Sequence, residues 1–326
     1  MNHGIILGKF SPFHRGHEFL INQALANGHT LTVLVCSKET DLIPGWQRYH
    51  WVKSTFPELD VRHLIEPPTI QLPDSTEFSE SSGLDEMIRR NIPEHTGFLF
   101  ESGKTQLTFA HRLGFEHICM DPEREYFPIT TQEIRKNPTA HWDLLLPNVR
   151  PYYLRRVALV GPESCGKSYL AEQLALHYKT VFVEEYGRTY CEKFGMDSTE
   201  LDFAHVAGGQ LYREDEMALE ADRLLFCDTD LIVTQVWSEV YFKGKCQPWI
   251  YWADHARRYD LFLLCAPDIP WVNDGLREFE GKRAWMFERL RQELEARGLN
   301  YKVIQGGFEE RMSAAIRAVE SLNYSK

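Results

Sequence analysis

The stretch Gly161-Pro162-Glu163-Ser164-Cys165-Gly166-Lys167-Ser168 decides how the second half of this chain folds. It follows the apolar run 156–160, which has the pattern of a strand, and it precedes 169–178, which has the pattern of a helix. A GxxxxGK[ST] segment between a strand and a helix forms a loop whose backbone N–H groups cradle phosphates. A plain glycine-rich turn explains this context poorly. The segment therefore predicts a nucleotide-binding loop at the end of a parallel strand.

Two residues of this loop have expected chemical roles. Lys167 reaches the β- and γ-phosphates of ATP, and Ser168 is an expected ligand of Mg²⁺. The predicted ATP-binding set of this half is Gly161, Glu163, Ser164, Cys165, Gly166, Lys167, Ser168 and Arg277.

A second apolar strand, 224–230, ends in two carboxylates, Asp228 and Asp230. Asp228 lies where a magnesium-holding carboxylate of a phosphoryl-transfer enzyme belongs. It is predicted to hold Mg²⁺ or to accept the proton of a substrate hydroxyl, and it joins Lys167 as a catalytic residue. Asp230 is predicted instead to cap the following helix.

Two further segments supply candidate substrate contacts. Glu184-Glu185-Tyr186-Gly187-Arg188 follows the strand pattern 180–183, although a solvated, charged helix start explains it almost as well. In 267–283, Trp271 offers an aromatic face to a planar ring. Arg277, Lys282 and Arg283 form a basic cluster that closes over phosphates in the manner of a kinase lid. The predicted substrate-binding set is Glu185, Tyr186, Arg188, Trp271 and Asp274.

The first half of the chain alternates short strands with helical patterns, which predicts a second parallel sheet covered on both faces. The predicted strands are 4–9, 31–36, 61–65, 97–101 and 116–120, and the predicted helices are 15–26, 46–55, 84–91 and 105–113. Prolines between 137 and 151 precede a new strand. We therefore expect one domain over residues 1–150 and a second over 151–326.

The segment Gly8-Lys9-Phe10-Ser11-Pro12-Phe13-His14-Arg15-Gly16-His17 joins the first strand to the first helix. His14 and His17 lie three residues apart and share one side of the first helical turn. Two imidazoles beside Lys9 and a helix N-terminus suit a polyphosphate. A zinc site is disfavoured, because the glutamate of HExxH and a third nearby ligand are missing.

Ile129-Thr130-Thr131-Gln132-Glu133-Ile134-Arg135 is the second candidate segment of this half. Thr130 is placed to cap a helix whose free N–H groups hold phosphate, and Arg135 to pair with phosphate oxygens. Taken alone, a plain capped helix explains the pattern better. The predicted ATP-binding set of the first half is Gly8, Lys9, Phe10, His14, His17, Thr130 and Arg135, with His14 and His17 also catalytic.

Composition narrows the class of protein. A net charge of -11 over 326 residues, with no long Lys/Arg run, disfavours a nucleic-acid partner. The sequence has no long apolar run and no secretory signal, so a cytoplasmic protein without membrane association is expected. Seven scattered cysteines, none in a CxxC spacing, argue against a disulfide framework or a cysteine zinc site.

Seven segments in this order resemble the bifunctional nicotinamide-nucleotide adenylyltransferase / ribosylnicotinamide kinase family of bacterial NAD salvage. They are GKFSPFHRGH at 8–17, RYHW at 48–51, ITTQEIRKNP at 129–138, VALVGPESCGKS at 157–168, EEYGRTY at 184–190, DTD at 228–230 and PWVNDGLR at 270–277. The first segment is similar to the HxGH signature of nucleotidylyltransferases, and the third to their ISxxxIR signature, with Thr130 in place of serine.

The resemblance implies a Rossmann-like nucleotidylyltransferase domain followed by a P-loop kinase domain. The second domain would phosphorylate nicotinamide riboside with ATP, and the first would adenylylate the resulting mononucleotide to NAD, releasing pyrophosphate. Both steps would use Mg²⁺, with ATP as co-substrate. Many relatives carry a helix-turn-helix domain ahead of the first strand, for which this chain is expected to lack room. The sequence leaves open whether the chain forms a homo-oligomer.

Two other functions fit the motifs less well. A fused pantetheine-phosphate adenylyltransferase and dephospho-coenzyme A kinase also pairs HxGH with a P-loop, and a non-catalytic nucleotide sensor would keep both loops. Relatives place a tryptophan-rich segment near residues 66–86, where this chain offers Phe78 as its one aromatic ring. We therefore expect weak recognition of the mononucleotide, unless Trp46 or Trp51 reaches the site.

Overall fold

The computed structural model describes residues 3–65, 82–92, 97–102, 107–123, 125–195, 197–251, 259–272 and 280–322. The chain divides into two compact units, the first ending at Val149 and the second beginning at Arg150. Each unit contains a five-stranded sheet whose described pairings are all parallel. The predicted α/β class is therefore confirmed. Across the described part of the chain, every helix is too short or too polar to cross a bilayer.

The sheet of the first unit has the order β3-β2-β1-β4-β5. Its strands are β1 His3–Gly8, β2 Thr30–Ser37, β3 Asp60–Ile65, β4 Gly97–Glu101 and β5 Phe115–Cys119. Its helices are α1 Arg15–Ala26, α2 Gly45–Thr55, α3 Ser82–Arg90, α4 Leu107–Leu113 and α5 Thr131–Lys136. The strand order reverses beside β1, and ligands of open α/β sheets bind at such a reversal.

The sheet of the second unit has the order β10-β9-β6-β8-β7. Its strands are β6 Arg155–Val160, β7 Phe182–Val183, β8 Leu224–Asp228, β9 Leu261–Cys265 and β10 Tyr301–Ile304. Its helices are α6 Lys167–Tyr178, α7 Tyr186–Phe194, α8 Glu200–Ala218, α9 Leu231–Tyr241, α10 Arg283–Ala296 and α11 Phe308–Glu320. The central strand β6 lies between β8 and β9, so the loop after β6 is flanked by the ends of both.

The central strands are buried on both faces, as the covered sheets of α/β proteins require. All five residues of β8 and all five of β9 are buried. Leu159, Leu170 and Ile304 belong to a core on one face of the second sheet, whereas Val160 and Leu290 belong to a core on the other. Burial on both faces holds the strand ends rigidly, and these ends carry the candidate sites.

The observed strand bounds differ from the predicted ones mostly by a single residue, and α1 has its predicted bounds. A few strands differ by two residues, and β7 is one of them, since it contains two residues where four were predicted. The backbone N–H of Thr180 donates to the carbonyl of Ala175 at 2.9 Å, at the end of α6, so this residue belongs to the helix end and not to the strand.

Candidate active sites

The first candidate site begins where β1 ends. Gly8 closes the strand, and a Cβ there would lie 3.1 Å from the ring of Phe10, so the loop needs a small residue at this position. Phe10 has a φ of 48°, a backbone conformation that is uncommon for a residue with a side chain. The turn leads into His14, the N-cap residue of α1.

Both histidines are oriented by hydrogen bonds to the backbone. His14 Nδ1 accepts from the N–H of Gly16 at 3.1 Å, and His17 Nδ1 accepts from the N–H of His14 at 3.3 Å. Because Nδ1 is an acceptor in each ring, we assign the ring proton of the neutral form to Nε2. His14 Nε2–H then donates to the hydroxyl of Thr131 at 2.9 Å.

Burial keeps both imidazoles neutral. It lowers the pKa of His14 to about 4. Burial, together with the positive charge that His14 carries when it is protonated, lowers the pKa of His17 well below its usual value. The two ring centroids are 3.9 Å apart, and the ring of Phe13 stacks on His17 at 5.9 Å. The pair therefore offers N–H dipoles rather than full positive charges to a ligand.

The start of α5 lies against His14 through Thr131, a residue to which sequence reasoning gave no role. Thr130 caps the helix as predicted, and it forms a capping box with Glu133. Arg135 is exposed on the same short helix, and Lys9 is half-buried after β1. The two signatures of the first unit thus meet in space through His14 and Thr131. The one clue to Thr131 was its position beside Thr130.

A buried guanidinium group stabilises the backbone of the first candidate site. Arg48 is 0% exposed, donates to the carbonyls of Lys9 at 2.8 Å and Cys36 at 3.3 Å, and pairs with Asp41. It ties the loop after β1 to the end of β2. The segment 48–51 carried the family resemblance, but nothing in its residue pattern indicates this role for Arg48.

Three aromatic residues were considered for recognition of the mononucleotide, and the structure describes two of them. Trp51 is buried in the core, and Trp46 is 63% exposed at the start of α2. Phe78 lies outside the described residues.

The second candidate site is a cavity of about 360 Å³ at the carboxyl ends of β6 and β8. The P-loop and the start of α6 form one wall. The described lining residues are Glu163, Ser164, Cys165, Gly166, Lys167, Ser168, Tyr169, Glu185, Gly187, Arg188, Cys191, Ser198, Asp202, Phe203, Val206, Thr229, Val233, Thr234, Trp237 and Tyr241.

The P-loop has the backbone conformation that a phosphate cradle needs. Gly161 and Gly166 have φ values of 153° and 81°, and Ser164 has a φ of 54°. A Cβ on Gly161 would lie 2.7 Å from the carbonyl oxygen of Cys265, which excludes any larger residue. Lys167 Nζ donates to the carbonyls of Gly161 at 3.1 Å and Pro162 at 3.0 Å, across the loop.

The end of β8 places a carboxylate opposite Lys167. Burial and the nearby Glu185 raise the pKa of Asp228 to about 6, against the opposing effects of Lys167 and of a hydrogen bond from Ser168. Asp228 Oδ1 is buried and has no hydrogen-bond partner among the described residues. The prediction that Asp230 caps the next helix is confirmed, since it accepts from the N–H of Val233 at 3.1 Å.

This oxygen set fits Mg²⁺. The hydroxyl of Ser168 lies within hydrogen-bonding distance of Asp228, whose other oxygen is unpartnered in the described chain. Magnesium is usually held by one or two protein oxygens together with phosphates and water. The described residues contain no cluster of three or more His, Cys, Asp or Glu side chains that could hold a metal by itself.

The far end of the cavity is apolar and aromatic, which sequence reasoning missed. Phe203 and Val206 of α8 line it together with Trp237 and Tyr241 of α9, and the rings of Phe203 and Tyr241 pack at 5.7 Å. Trp237 and Tyr241 are four residues apart in an apolar helix, a spacing that indicates a shared face but not which cavity it lines. Glu185 and Arg188 line the cavity between this end and the P-loop.

Tyr186 and Trp271 were predicted to bind the substrate, but neither is among the described residues that line the cavity. Tyr186 packs its ring against Gly209 of α8, below the guanidinium of Arg213 at 5.0 Å, and it is absent from the described lining of the cavity. Trp271 lies under the guanidinium of Arg283 at 5.8 Å. Asp274 and Arg277 lie outside the described residues.

The basic cluster contributes to the structure in a way that was not predicted. Arg283 was expected to close on phosphates. Its guanidinium instead donates to the carbonyls of Ser164 at 2.9 Å and Ile269 at 3.1 Å. Arg311 of α11, which is 5% exposed, donates to the carbonyls of Cys165 at 3.0 Å and Ala266 at 2.9 Å. Two guanidinium groups therefore fix the outer backbone of the P-loop.

Comparison with known proteins gives matches in both halves of the chain. The family model described as citrate lyase ligase C-terminal domain matches residues 3–66, and the model described as AAA domain matches 156–311. Two solved structures share the fold at a TM-score of 0.79 and 24% identity, and each covers 100% of this chain. One is a NadR protein in complex with NR, and the match covers 97% of that chain. The other is a NadR protein in complex with NAD and AMP-PNP, and the match covers 98% of that chain.

Two curated relatives are called trifunctional NAD biosynthesis/regulator protein NadR. The protein of Salmonella typhimurium is 30% identical over 295 residues, which are 85% of this chain and 72% of the relative. The protein of Escherichia coli is 29% identical over 293 residues, which are 84% and 71% of the two chains. At this identity and coverage, the chain belongs to the NadR family.

Proposed function

We propose that this chain is a two-step enzyme of NAD salvage. The unit that begins at Arg150 phosphorylates nicotinamide riboside with ATP, and the unit that ends at Val149 transfers adenylate from a second ATP to the mononucleotide, forming NAD and pyrophosphate. The observation that carries the proposal is the pairing of a complete P-loop with a complete HxGH turn in one member of the NadR family. A cytoplasmic location and the absence of a nucleic-acid partner are part of this proposal.

The cavity of the second unit suits a nucleoside whose base is apolar and planar. Trp237 and Tyr241 offer aromatic faces to the pyridine ring, and Glu185 and Arg188 offer polar contacts to the ribose. The P-loop lies at the other end of the same cavity, where the γ-phosphate of ATP would lie. A nucleoside bound in this orientation points its 5′-hydroxyl at the phosphate.

Asp228 and Lys167 act on opposite sides of the transfer. Lys167 holds the phosphate oxygens and neutralises charge as it develops. Asp228, adjacent to Glu185, accepts the proton of the attacking hydroxyl or holds the metal through an oxygen. Ser168 and Asp228 would hold a bound Mg²⁺, which would supply positive charge to the transferred group.

The first unit needs no covalent intermediate. His14 and His17 offer Nε2–H groups to phosphate oxygens at the N-terminus of α1, and Lys9 and Arg135 add positive charge. The mononucleotide phosphate attacks the α-phosphorus, and pyrophosphate leaves on the side held by these donors. The hydroxyl of Thr131, which contacts His14 in the structure, keeps the ring in this orientation.

The test is a substrate panel on the purified protein. Nicotinamide riboside with ATP should yield ADP and, in the same reaction, NAD and pyrophosphate. Supplying the mononucleotide should bypass the first step. Preference for dephospho-coenzyme A, or binding of ATP without release of ADP or pyrophosphate, would refute the proposal.

The apolar end of the cavity has its own test. Trp237→Ala should raise the KM for nicotinamide riboside by about tenfold, because a stacked ring contributes about 0.5–1.5 kcal/mol beyond its buried area. The exposed Trp285→Ala of α10 serves as the control. Equal effects of the two substitutions would place the pyridine ring elsewhere.

A further inference from the structure

We propose that Cys165 of the P-loop and Cys265 at the end of β9 form a reversible disulfide when a hydroperoxide reaches the site, and that this bond switches off nucleotide binding by the second unit. The pair is a modification site that the reaction itself does not use. The functional consequence rests on the proposed kinase activity, whereas formation of the bond does not.

The two thiols lie side by side. Both belong to one buried hydrophobic cluster, and each side chain shifts the pKa of the other. Gly161 lies between them: a Cβ there would be 2.8 Å from Cys165 Sγ and 3.3 Å from Cys265 Cβ. The absence of a side chain at Gly161 is therefore what allows the two cysteines to meet.

The backbones of the pair are also held together. Arg311 donates to the carbonyl of Cys165 at 3.0 Å and to the carbonyl of Ala266, the residue after Cys265, at 2.9 Å. One buried guanidinium thus fixes the distance between the P-loop and the end of β9. A disulfide between these positions needs movement of the side chains more than of the strands.

The two thiols have different expected roles. Cys165 is 1% exposed and belongs to the lining of the cavity, whereas Cys265 is 0% exposed and does not, so a small oxidant entering the cavity is nearer to Cys165. Burial acts to raise the pKa of Cys165, but the hydrogen bond with Cys265 and the charges of Lys167 and Arg311 outweigh burial and lower the pKa to about 7. The hydrogen bond and burial raise the pKa of Cys265 well above its usual value. Cys165 is therefore the attacking sulfur and Cys265 the resolving one.

The oxidation balances with hydrogen peroxide as the oxidant. The Cys165 thiolate attacks one peroxide oxygen, the O–O bond breaks, and the departing hydroxide takes up a proton to leave as water. The sulfenic acid on Cys165 is then attacked by the sulfur of Cys265. The S–S bond forms, the S–O bond breaks, and a second water carries away the remaining proton. Two thiols are oxidised by two electrons, and one peroxide is reduced to two waters.

The bond would deform the phosphate cradle. Cys165 Sγ donates to the carbonyl of Pro162 at 2.9 Å within the loop, and this hydrogen bond is lost when the thiol is oxidised. Drawing the sulfur towards β9 moves the backbone between Ser164 and Gly166, whose N–H groups belong to the cradle. Bound ATP would cover the cavity side of Cys165, so the nucleotide should protect the pair.

The experiment compares the whole chain with two single variants, Cys265→Ala and Cys246→Ala. Cys265→Ala removes the resolving thiol, and Cys246→Ala removes a thiol of the same unit that is absent from the described lining of the cavity. Each protein is treated with hydrogen peroxide, with and without MgATP, and then with dithiothreitol. The readouts are intact mass, peptide mapping of the cross-link, ATP binding by calorimetry, and both transferase activities.

The wild-type chain and Cys246→Ala should lose two hydrogens, contain a Cys165–Cys265 cross-link, and lose kinase turnover by about a hundredfold, the cost of a small misplacement in a catalytic site. Dithiothreitol should restore activity, and MgATP should slow the loss. Cys265→Ala should keep its ATP binding and form no cross-link. The adenylyl transfer should be unaffected, which separates the switch from general damage.

Two results would overturn the inference. One is loss of ATP binding in Cys265→Ala as fast as in the wild type, which would make Cys165 act alone. The other is a mass unchanged by peroxide while the activity falls. If the chain phosphorylates no nucleoside, the proposed function fails, but the cross-link and ATP binding still decide the inference.

Discussion

At the scale of single residues, burial decides which charges the two sites contain. His14 and Asp228 are both buried side chains of types that titrate near or below neutral pH. Burial favours the neutral form of each, so it lowers the pKa of the base and raises that of the acid. In each case the neutral form is stabilised until a charged ligand arrives. The measurable consequences differ from residue to residue.

His14 makes the stability of the first unit depend on pH. The pKa of a histidine is about 6.5 in the unfolded chain, and it is about 4 in the folded one. Between these values the unfolded state binds more protons, so stability falls as pH falls from about 6.5 to about 4, by up to about 3 kcal/mol. Urea unfolding of wild type and His14→Gln across this range should show a weaker pH dependence in the variant. Parallel curves would contradict burial of the ring.

The two activities should be separable by one substitution each. Lys167→Ala removes the cation that contacts the transferred phosphate, so nucleoside phosphorylation should fall by about a hundred- to a thousandfold. His17→Ala should lower adenylyl transfer by a similar factor. Each variant serves as the folding control for the other, since the second activity is measured in the same sample. Loss of both activities in either variant, with the fold intact by circular dichroism, would refute independent sites.

Asp228→Asn tests the carboxylate at the end of β8. The amide keeps the shape of the side chain but removes the negative charge that a metal or a transferred proton requires. Kinase turnover should fall by about a hundredfold or more, while ATP binding measured by calorimetry stays close to wild type. Near-normal turnover would assign the role to Glu185, which lies near Asp228 in the same cavity.

At the scale of elements, the packing of α7 on α8 depends on one glycine. A Cβ on Gly209 would lie 2.1 Å from the ring of Tyr186, so the ring occupies the space that the missing side chain leaves. The N–H of Tyr186 also donates to Gln210 at 2.9 Å. Because α7 carries Arg188 and begins after Glu185, this contact positions two cavity residues.

Gly209→Ala should therefore push Tyr186 away and misplace α7. We expect a loss of about 1–3 kcal/mol in stability, the usual cost of overpacking, and a raised KM for nicotinamide riboside. Gly208→Ala is the matched control, because the neighbouring position is exposed and a Cβ there would meet nothing within 4 Å. The control should be neutral or stabilised by up to about 1 kcal/mol, since alanine favours a helix over glycine. Equal losses in both variants would show that the ring of Tyr186 is not packed there.

At the scale of the whole molecule, the chain passes from the first compact unit to the second within a few residues. Asn148 donates to the carbonyl of Trp51 and to the hydroxyl of Thr55, both at 3.0 Å, so it belongs to the first unit. The short helix Arg150–Tyr152 contacts α8 and belongs to the second. Each unit has its own sheet and its own core.

A fragment that begins at Arg150 should therefore fold alone. It should phosphorylate nicotinamide riboside at a rate near that of the whole chain and make no NAD, because the second core is complete without the first unit. Circular dichroism and the ADP-release assay check this. An insoluble or inactive fragment, beside an active whole chain, would show that the first unit is needed to fold the second.

The sequence by itself determined the class of fold, both phosphate-binding loops and the helix-capping roles of Thr130 and Asp230. These features are local: a strand, a glycine turn and a helix start lie within about a dozen residues, and their patterns follow from backbone geometry. Most of the predicted strands lie within about a residue of the observed ones for the same reason, because apolar runs and turns alternate along the sequence.

Only the tertiary structure decided which distant residues complete the sites. Thr131 reaches His14 across more than a hundred residues, Arg311 reaches Cys165 across an even longer separation, and α8 and α9 bring Phe203 and Trp237 to one cavity. The backbone carbonyls that hold Arg48, Arg283 and Arg311 have no signature in the sequence, because every residue has one. Which carbonyl a buried guanidinium group contacts depends on how whole helices and strands pack. The structural roles of these three arginines could therefore be identified only from the tertiary structure.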